Sequence, residues 1–545
     1  MTSFLQQLSS SPLYRKLAGE DSPVAASWGM LAFRWWGVLM LALTYYKTHL
    51  AWGPRVDDFP PVLPLWEGSP ALPQLELYWP LLVTLAIVPF VARLGLILHS
   101  ITLFYAIITD LTRIQPECYS PVILLWATLP SDNAKTIARA HLAAMWFFAG
   151  FHKLLAPAFQ LHVGPEIFTY LLKLNIEPET AHNLGILVAV TEIAVGLGVL
   201  FPLTRRVAAI AAIGMHFVIF LGATNIPHGI DHFIRVGDSG GFVDFLAICN
   251  ALSPTSWYQP VWPWNLLLMW AGLAFFWNEP HMKALSLQRL EWIAGSCVVL
   301  LLAYFLHESI WPWNLVLAAL LIQGNWIEAE TFQFRPVWHR ILMASLAAVF
   351  IILPLGYYPG WVNPYLANCI YTGNFIIGVR IPANTKEVVP PTMDTVATTA
   401  IPKEWKSLGS ETSRDLGISI PPSERLFQRF FAKTGKPHER MILYYPGWMS
   451  LFTGIKEREL WLGHGEKING LAEGLWIFYD NNGRKSSEVT LLHGVHEGPA
   501  INWRPDGRKE SEGPMQANQP HGLWTIYEED GRVRKERFER GFLVE

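Results

Sequence analysis

A polytopic transmembrane helical bundle, mainly α, followed by a small antiparallel β-repeat domain, is the fold class that three features of the sequence predict. Nearly all the apolar runs lie within residues 1–360, whereas residues 380–545 are polar and rich in Gly, Lys, Arg and Glu. The 545-residue chain is 51% hydrophobic and only 16% charged, with 25 Trp, and its mean hydropathy is +0.26; an ordinary soluble protein carries about 25% charged residues. Towards the C-terminus, glycines recur at a fixed period. The formal net charge of -3 comes with no basic helix, finger spacing or RNA-binding aromatic motif, so the expected partner is the lipid bilayer and not nucleic acid.

Residues 1–25 carry Arg15, Lys16, Glu20 and Asp21 ahead of the first apolar run and are expected to form a cytoplasmic N-terminal segment. No small-residue cleavage site follows a short apolar core, so the first helix is expected to remain in the mature protein. The transmembrane domain, 26–357, contains apolar segments near 26–46, 78–92, 94–109, 121–130, 140–156, 183–201, 207–223, 242–252, 262–277, 291–306, 311–323 and 340–357. A simple span needs about 20 residues, and several of these are shorter, which predicts about nine to eleven crossings with some short, tilted or re-entrant pieces. With a cytoplasmic N-terminus and 242–252 only dipping in, Arg93, Lys135 with Arg139, Arg205 with Arg206, Lys283 with Arg289, and Arg335 with Arg340 all fall on the cytoplasmic side, as the positive-inside rule requires. The loops 110–120 and 225–241 and everything after about 358 then lie outside the cytoplasm. The expected localisation is multi-pass in a membrane, with an extracytoplasmic C-terminal domain.

Of the four cysteines, Cys249 and Cys297 lie in apolar segments and read as buried thiols. Cys118 and Cys369 share the non-cytoplasmic side, where an oxidising compartment allows a disulfide between them; two unrelated thiols are the alternative.

Inside the predicted spans stand Lys153, Glu192 and His216. An ionisable group deep in a bilayer is costly and normally faces the protein interior or a wet cavity, so each is a candidate for function. Glu192 and His216 flank the turn Thr204-Arg205-Arg206 and lie roughly 20 and 16 Å along their helices from Arg205, at one level of the bilayer. A lysine near a carboxylate and an imidazole suits proton abstraction from a lipid-soluble hydroxyl compound such as a quinol. The structural alternatives are a lysine that snorkels to a helix end and a glutamate and histidine that act as interhelical hydrogen-bonding groups. His152 points about 100° away from Lys153. A loop containing His228, Asp231 and His232 offers metal-ligand residue types, but no further ligand pattern accompanies it, and no metal is expected.

The segment Phe148-Ala149-Gly150-Phe151-His152-Lys153-Leu154 resembles the Phe/Ile-Ala-Gly-x-x-Lys-Leu segment of vitamin K-dependent gamma-carboxylases and their bacterial relatives, the horizontally transferred transmembrane (HTTM) domain proteins. The stretch from Glu192 through Thr204-Arg205-Arg206 to Gly214-Met215-His216 is similar to a pattern in those proteins and in DoxX-like membrane families. The resemblance covers about residues 26–275 and implies a bacterial inner-membrane protein, a reduced, vitamin K-like quinone as cofactor, and Lys153 as the base that deprotonates it. The family's Asn-Asn-His loop is here Arg113-Ile-Gln-Pro-Glu-Cys-Tyr119, so what carries over is quinol binding or oxidation more than glutamate carboxylation.

Beyond a Pro-, Thr- and Ser-rich connector within 358–425, the region 426–545 is expected to be β-rich, beginning with a degenerate strand pair in 426–465. Gly474, Gly498 and Gly522 are 24 residues apart, and Gly483, Gly507 and Gly531 follow each by nine. Asn-Gly and Asp-Gly before a basic strand start mark hairpin turns, and alternating aromatics mark half-buried strands. Residues 474–541 are thus hairpin units that bury their faces by stacking into a small β-solenoid, and they resemble MORN-variant repeats. No catalytic constellation is visible there, which assigns the repeats to stabilisation or to a protein or peptide partner. Two functions follow as expectations: a quinol-handling membrane enzyme, or a non-catalytic membrane scaffold that binds its partner through the repeats.

Overall fold

The computed structural model describes residues 11–18, 28–54, 75–130, 132–156, 159–224, 261–277, 353–358, 376–381 and most of 440–544, with a few shorter pieces and isolated positions between them. The expected apolar segments 242–252 and 311–323 and most of 291–306 and 340–357 lie outside the described residues; Cys297, expected to be a buried thiol, is described and is exposed. The chain divides into a helical unit, Met1–Phe375 with Thr412–Ser423 and Pro446–Gly454, and a β unit, Ile376–Glu411, Glu424–Tyr445 and Ile455–Glu545.

The helical unit is built from α1 (Trp28–Lys47), α2 (Tyr78–Ile87), α3 (Ala92–Thr109), α4 (Pro116–Trp126), α5 (Asp132–Leu154), α6 (Pro178–Gly198), α7 (Arg205–Gly222) and α8 (Trp262–Phe276). Proline at the first position opens α4 and α6, where its missing N–H is no loss. Among the described residues, α3, α6 and α7 are long and apolar enough to cross a membrane, and α2 and α8 are shorter apolar helices. Past α5 the chain turns by 79° into π-helical turns that end at Leu171. The break contains Pro157, which has no N–H to continue the helical ladder. The bent pair is either a broken span or a re-entrant loop, and counting it as one span gives up to four among the described residues.

Polar side chains inside the unit are paired across helices. Arg34 on α1 donates to the hydroxyl of Thr128 (3.0 Å) and to its carbonyl (3.1 Å). Tyr45 on α1 bonds His99 on α3 at 3.0 Å, Trp126 donates to Ser100 at 3.0 Å, and Arg113 donates to the carbonyls of Ala51 and Gly53 at 2.9 and 2.8 Å. With no water in a bilayer core, such groups must find protein partners. The Arg113–Tyr119 segment, where the resemblance departs from the carboxylase pattern, is therefore a structural joint in this protein.

Helices α5 and α6 approach closely because glycines face the contact. A Cβ at Gly196 would lie 2.5 Å from the backbone nitrogen of Phe147, and one at Gly150 would strike the carbonyl of Ala189. Gly185, Ala189, Glu192 and Gly196 follow the three- and four-residue spacing of one helix face, so the small residues bring α5 against the one carboxylate of that face.

In the β unit, β1 (Ile377–Ile381), β2 (Lys406–Ser407), β3 (Arg440–Tyr444) and β4 (Glu457–Trp461) form an antiparallel sheet of order β2-β1-β3-β4. The pair expected in 426–465 is β3 with β4, in register Ile442 opposite Glu459. The unit's first strands, β1 and β2, come from the stretch 358–425.

The repeats form a second antiparallel sheet of β5 (Gly463–Ile468), β6 (Leu471–Tyr479), β7 (Lys485–Leu492), β8 (Val495–Trp503), β9 (Lys509–Gln516), β10 (Gln519–Pro520), β11 (Gly522–Tyr527), β12 (Val533–Glu539) and β13 (Phe542–Leu543). The hairpins share one sheet, side by side, where a stacked solenoid was expected. Trp476, Phe478, Val489, Leu491, Ala500 and Trp524 form its core, with Met515 and Phe538 against it.

The two glycine series have different jobs. Gly507 and Gly531 are hairpin turns, whereas Gly474, Gly498 and Gly522 sit in or at the start of strands with φ of +70°, +116° and +89°. A shift of register flanks Gly474 and another flanks Gly498. Each unit therefore contains a bulge that only glycine fills without strain.

Candidate functional site

The site lies between α5, α6, α7 and α8. On α5, Trp146, Ala149 and Lys153 recur at helical spacing along one face; Met215, His216 and Ile219 do so on α7, and Trp264, Asn265 and Leu268 on α8. With Met145 and Glu192 they line a cavity of about 50 Å³. Lys153, Glu192 and His216, singled out by their charge alone, thus meet at one cavity.

The Lys153 ammonium is 2.7 Å from each oxygen of Glu192, and the two side chains are 6% and 4% exposed. Lys153 lies inside the bundle and does not snorkel. Its nitrogen also stands 5.7 Å from the ring centre of Phe159, at the start of the bent segment. Isolating either charge here would cost several kcal/mol, about 3–5 when one partner of a buried pair is removed.

His216 is fixed from both sides. The indole N–H of Trp146 donates to its Nε2 at 2.8 Å, so Nε2 carries no proton. The proton is on Nδ1, which donates to Oδ1 of Asn265 at 2.9 Å. Asn265 is oriented in turn, because its amide donates to the carbonyl of Val261 at 3.0 Å. The imidazole is held as one neutral tautomer with both nitrogens engaged.

Trp264 differs from its neighbours. It is 4% exposed, and its indole N–H is buried with no hydrogen-bond partner among the described residues. Such a donor costs about 1–3 kcal/mol unless something answers it.

The other candidates lie elsewhere. His152 turns away from the cavity, with Nδ1 2.7 Å from the hydroxyl of Tyr358. His228 packs against Tyr170 with ring centres 6.0 Å apart; partial burial, then the nearby Lys173, lowers its pKa below the usual imidazole value, and Asp231 opposes them. His232 lies outside the described residues, and among those described no three His, Cys, Asp or Glu side chains gather as metal ligands would. Cys118 is a buried free thiol; Cys369 lies outside the described residues.

Residues 131–227 match the family model of Methylamine utilisation protein MauE. The MauE match runs from the start of α5 past the end of α7 and so contains Lys153, Glu192 and His216. Together with the apolar helices it marks this part of the chain as a membrane domain. Trp264 and Asn265 on α8 fall beyond it. No curated protein and no solved structure matches the chain.

Sequence reasoning missed Trp146, Trp264 and Asn265. Asn265 carried a usable signal, as a lone amide in an apolar helix. The two tryptophans are inconspicuous in a chain with 25 of them.

Proposed function

We propose that the helical unit is a membrane-embedded accessory protein that binds a reduced quinone at the Lys153–Glu192 pair and takes a proton from its hydroxyl. The observation that carries this reading is an ammonium–carboxylate pair at the wall of a cavity otherwise lined mainly by methionine, tryptophan and aliphatic side chains. An amphiphile with an apolar ring and a hydroxyl group suits both parts of that lining. The proton of Lys153 passes to Glu192 along one of the 2.7 Å hydrogen bonds. The neutral amine then takes the quinol proton, which leaves a quinolate beside the ammonium and the first proton on the carboxyl group. His216 stays neutral and holds the wall.

Volume sets a condition on this chemistry. A cavity of about 50 Å³ admits a hydroxyl or a water, whereas a benzene-sized ring needs about 150 Å³. The ring enters by displacing Met145 and Met215, whose unbranched side chains repack readily.

A second reading is a non-catalytic scaffold that holds a protein or peptide through the β-repeats; the engagement of both His216 nitrogens favours it. The two are separated by incubating reduced naphthoquinone aerobically with the purified full chain and following its oxidation products, quinone and epoxide, by mass spectrometry. Turnover by the wild type, abolished in the uncharged double variant Lys153→Met with Glu192→Leu, supports the quinol reading. Failure of the wild type to bind or turn over any of several quinols removes that reading and leaves the scaffold.

A further inference from the structure

We infer that Trp264 is a ligand-binding residue, whose indole N–H donates a hydrogen bond to a carbonyl oxygen of an apolar compound held in the Lys153–Glu192 cavity. The inference rests on the quinone reading above and adds to it the feature by which the oxidised compound is recognised.

Three observations converge. Trp264 lines the cavity, it is 4% exposed, and its N–H is an unanswered donor among the described residues. Trp146, on the same wall, shows the ordinary outcome, because its N–H is satisfied by His216 at 2.8 Å. The neighbouring polar groups do not answer Trp264 in this arrangement. Asn265 Oδ1 accepts from His216, His216 Nε2 accepts from Trp146, and both oxygens of Glu192 are held by Lys153. Each of these acceptors already has another donor and none reaches Trp264, whose N–H is left for something that enters.

A tryptophan N–H only donates, so the entering group must bring an acceptor oxygen. The rest of the lining is largely apolar, so the acceptor must sit on an apolar body. A conjugated carbonyl compound, the oxidised form of a quinol, meets both requirements. Its oxygen and adjoining carbons fit the space present, and the methionines give way to the remainder of the ring.

The test uses the full chain in detergent, 2-methyl-1,4-naphthoquinone as probe, and 2-methylnaphthalene as an oxygen-free control of similar shape. Trp264→Phe keeps an aromatic ring and deletes the donor. The wild type is expected to lower the infrared stretch of one quinone carbonyl on binding. The variant is expected to lose that shift and to bind the quinone about tenfold more weakly, the effect of one hydrogen bond. Equal binding of 2-methylnaphthalene by both proteins establishes that the variant's cavity is intact. A variant that binds the quinone as the wild type does, with the same carbonyl stretch, overturns the assignment of Trp264 and leaves the quinone reading standing. A wild type that binds no quinone overturns the assignment of Trp264, and one that also binds no reduced naphthoquinone overturns the quinone reading with it.

Discussion

At the scale of single residues, the buried Lys153–Glu192 pair makes opposite predictions for halving it and for removing it. Lys153→Ala leaves the Glu192 carboxylate uncompensated and is expected to destabilise the protein by about 3–5 kcal/mol, whereas the packed, uncharged Lys153→Met, Glu192→Leu double variant should recover most of that loss. Thermal unfolding in detergent compares the two, and equal destabilisation by both would refute a tight pair. Asn265→Leu deprives the Nδ1 proton of His216 of its acceptor and is expected to cost about 1–3 kcal/mol; a nitrogen-15 spectrum of labelled histidine should then show a shifted Nδ1–H resonance, while Nε2, still facing the indole N–H of Trp146, stays unprotonated. Lys153, Glu192 and His216 were legible in the sequence because a charge among apolar residues stands out. Their geometry was not. Nothing in residue order reveals that Trp146 and Asn265 occupy both His216 nitrogens, or that the N–H of Trp264 is unanswered.

At the scale of elements, each β-repeat relies on a pairing of volumes. A Cβ at Gly513 would lie 2.5 Å from the ring of Trp524, and one at Gly465 2.5 Å from the ring of Trp476. In the repeat between them, Val489 lies opposite Ala500, so a medium and a small residue replace the glycine and tryptophan. Gly513→Val alone is expected to destabilise the sheet by about 1–3 kcal/mol through overpacking. Combined with Trp524→Ala, it should cost less than the sum of the two single changes, and a double-mutant cycle of unfolding free energies measures the coupling. The repeat period, its turns and its aromatic positions were legible because glycine spacing records backbone demands directly. The role of Gly498 was not, since a bulge and a turn ask for the same residue. Two prolines also shape the sheet. Pro499 lies opposite Pro514, and the Pro514 carbonyl points away from β8 to accept from the backbone of His521 and the indole of Trp524 at 3.0 and 2.9 Å. Each missing N–H therefore falls on the outer side of the β8–β9 hairpin, which accounts for the short ladder between β9 and β11, two residue pairs long.

At the scale of the whole molecule, two units with different solvents need different sources of stability. The helical unit ties its polar groups to one another, while the β unit carries exposed ion pairs. The hydrogen bond from Lys509, followed by that from Tyr527, lowers the pKa of Glu512, and Arg508 does the same for Asp506. A lowered carboxyl pKa stabilises the fold above the unfolded value of about 4 and ceases to do so as pH falls through the folded value. Acid below about pH 4 should therefore loosen residues 504–530 by a small amount, since these groups are exposed and screened. Hydrogen exchange of the full chain, corrected for intrinsic rates, should show that loosening in the wild type and a weaker pH dependence in Glu512→Gln. The division into an apolar and a polar half was legible from composition. The exact boundary was not, because β1 and β2 come from a stretch whose prolines and threonines read as a connector.

The 24-residue unit holds its own bulge glycine and its own turn glycine, and so contains the full instructions for two strands. Duplicating one such unit in the gene would widen the sheet by two strand spacings, about 10 Å, and leave the other strands paired as before. Relatives that differ in repeat number would then differ in breadth by that fixed step, without reinventing a single side-chain contact.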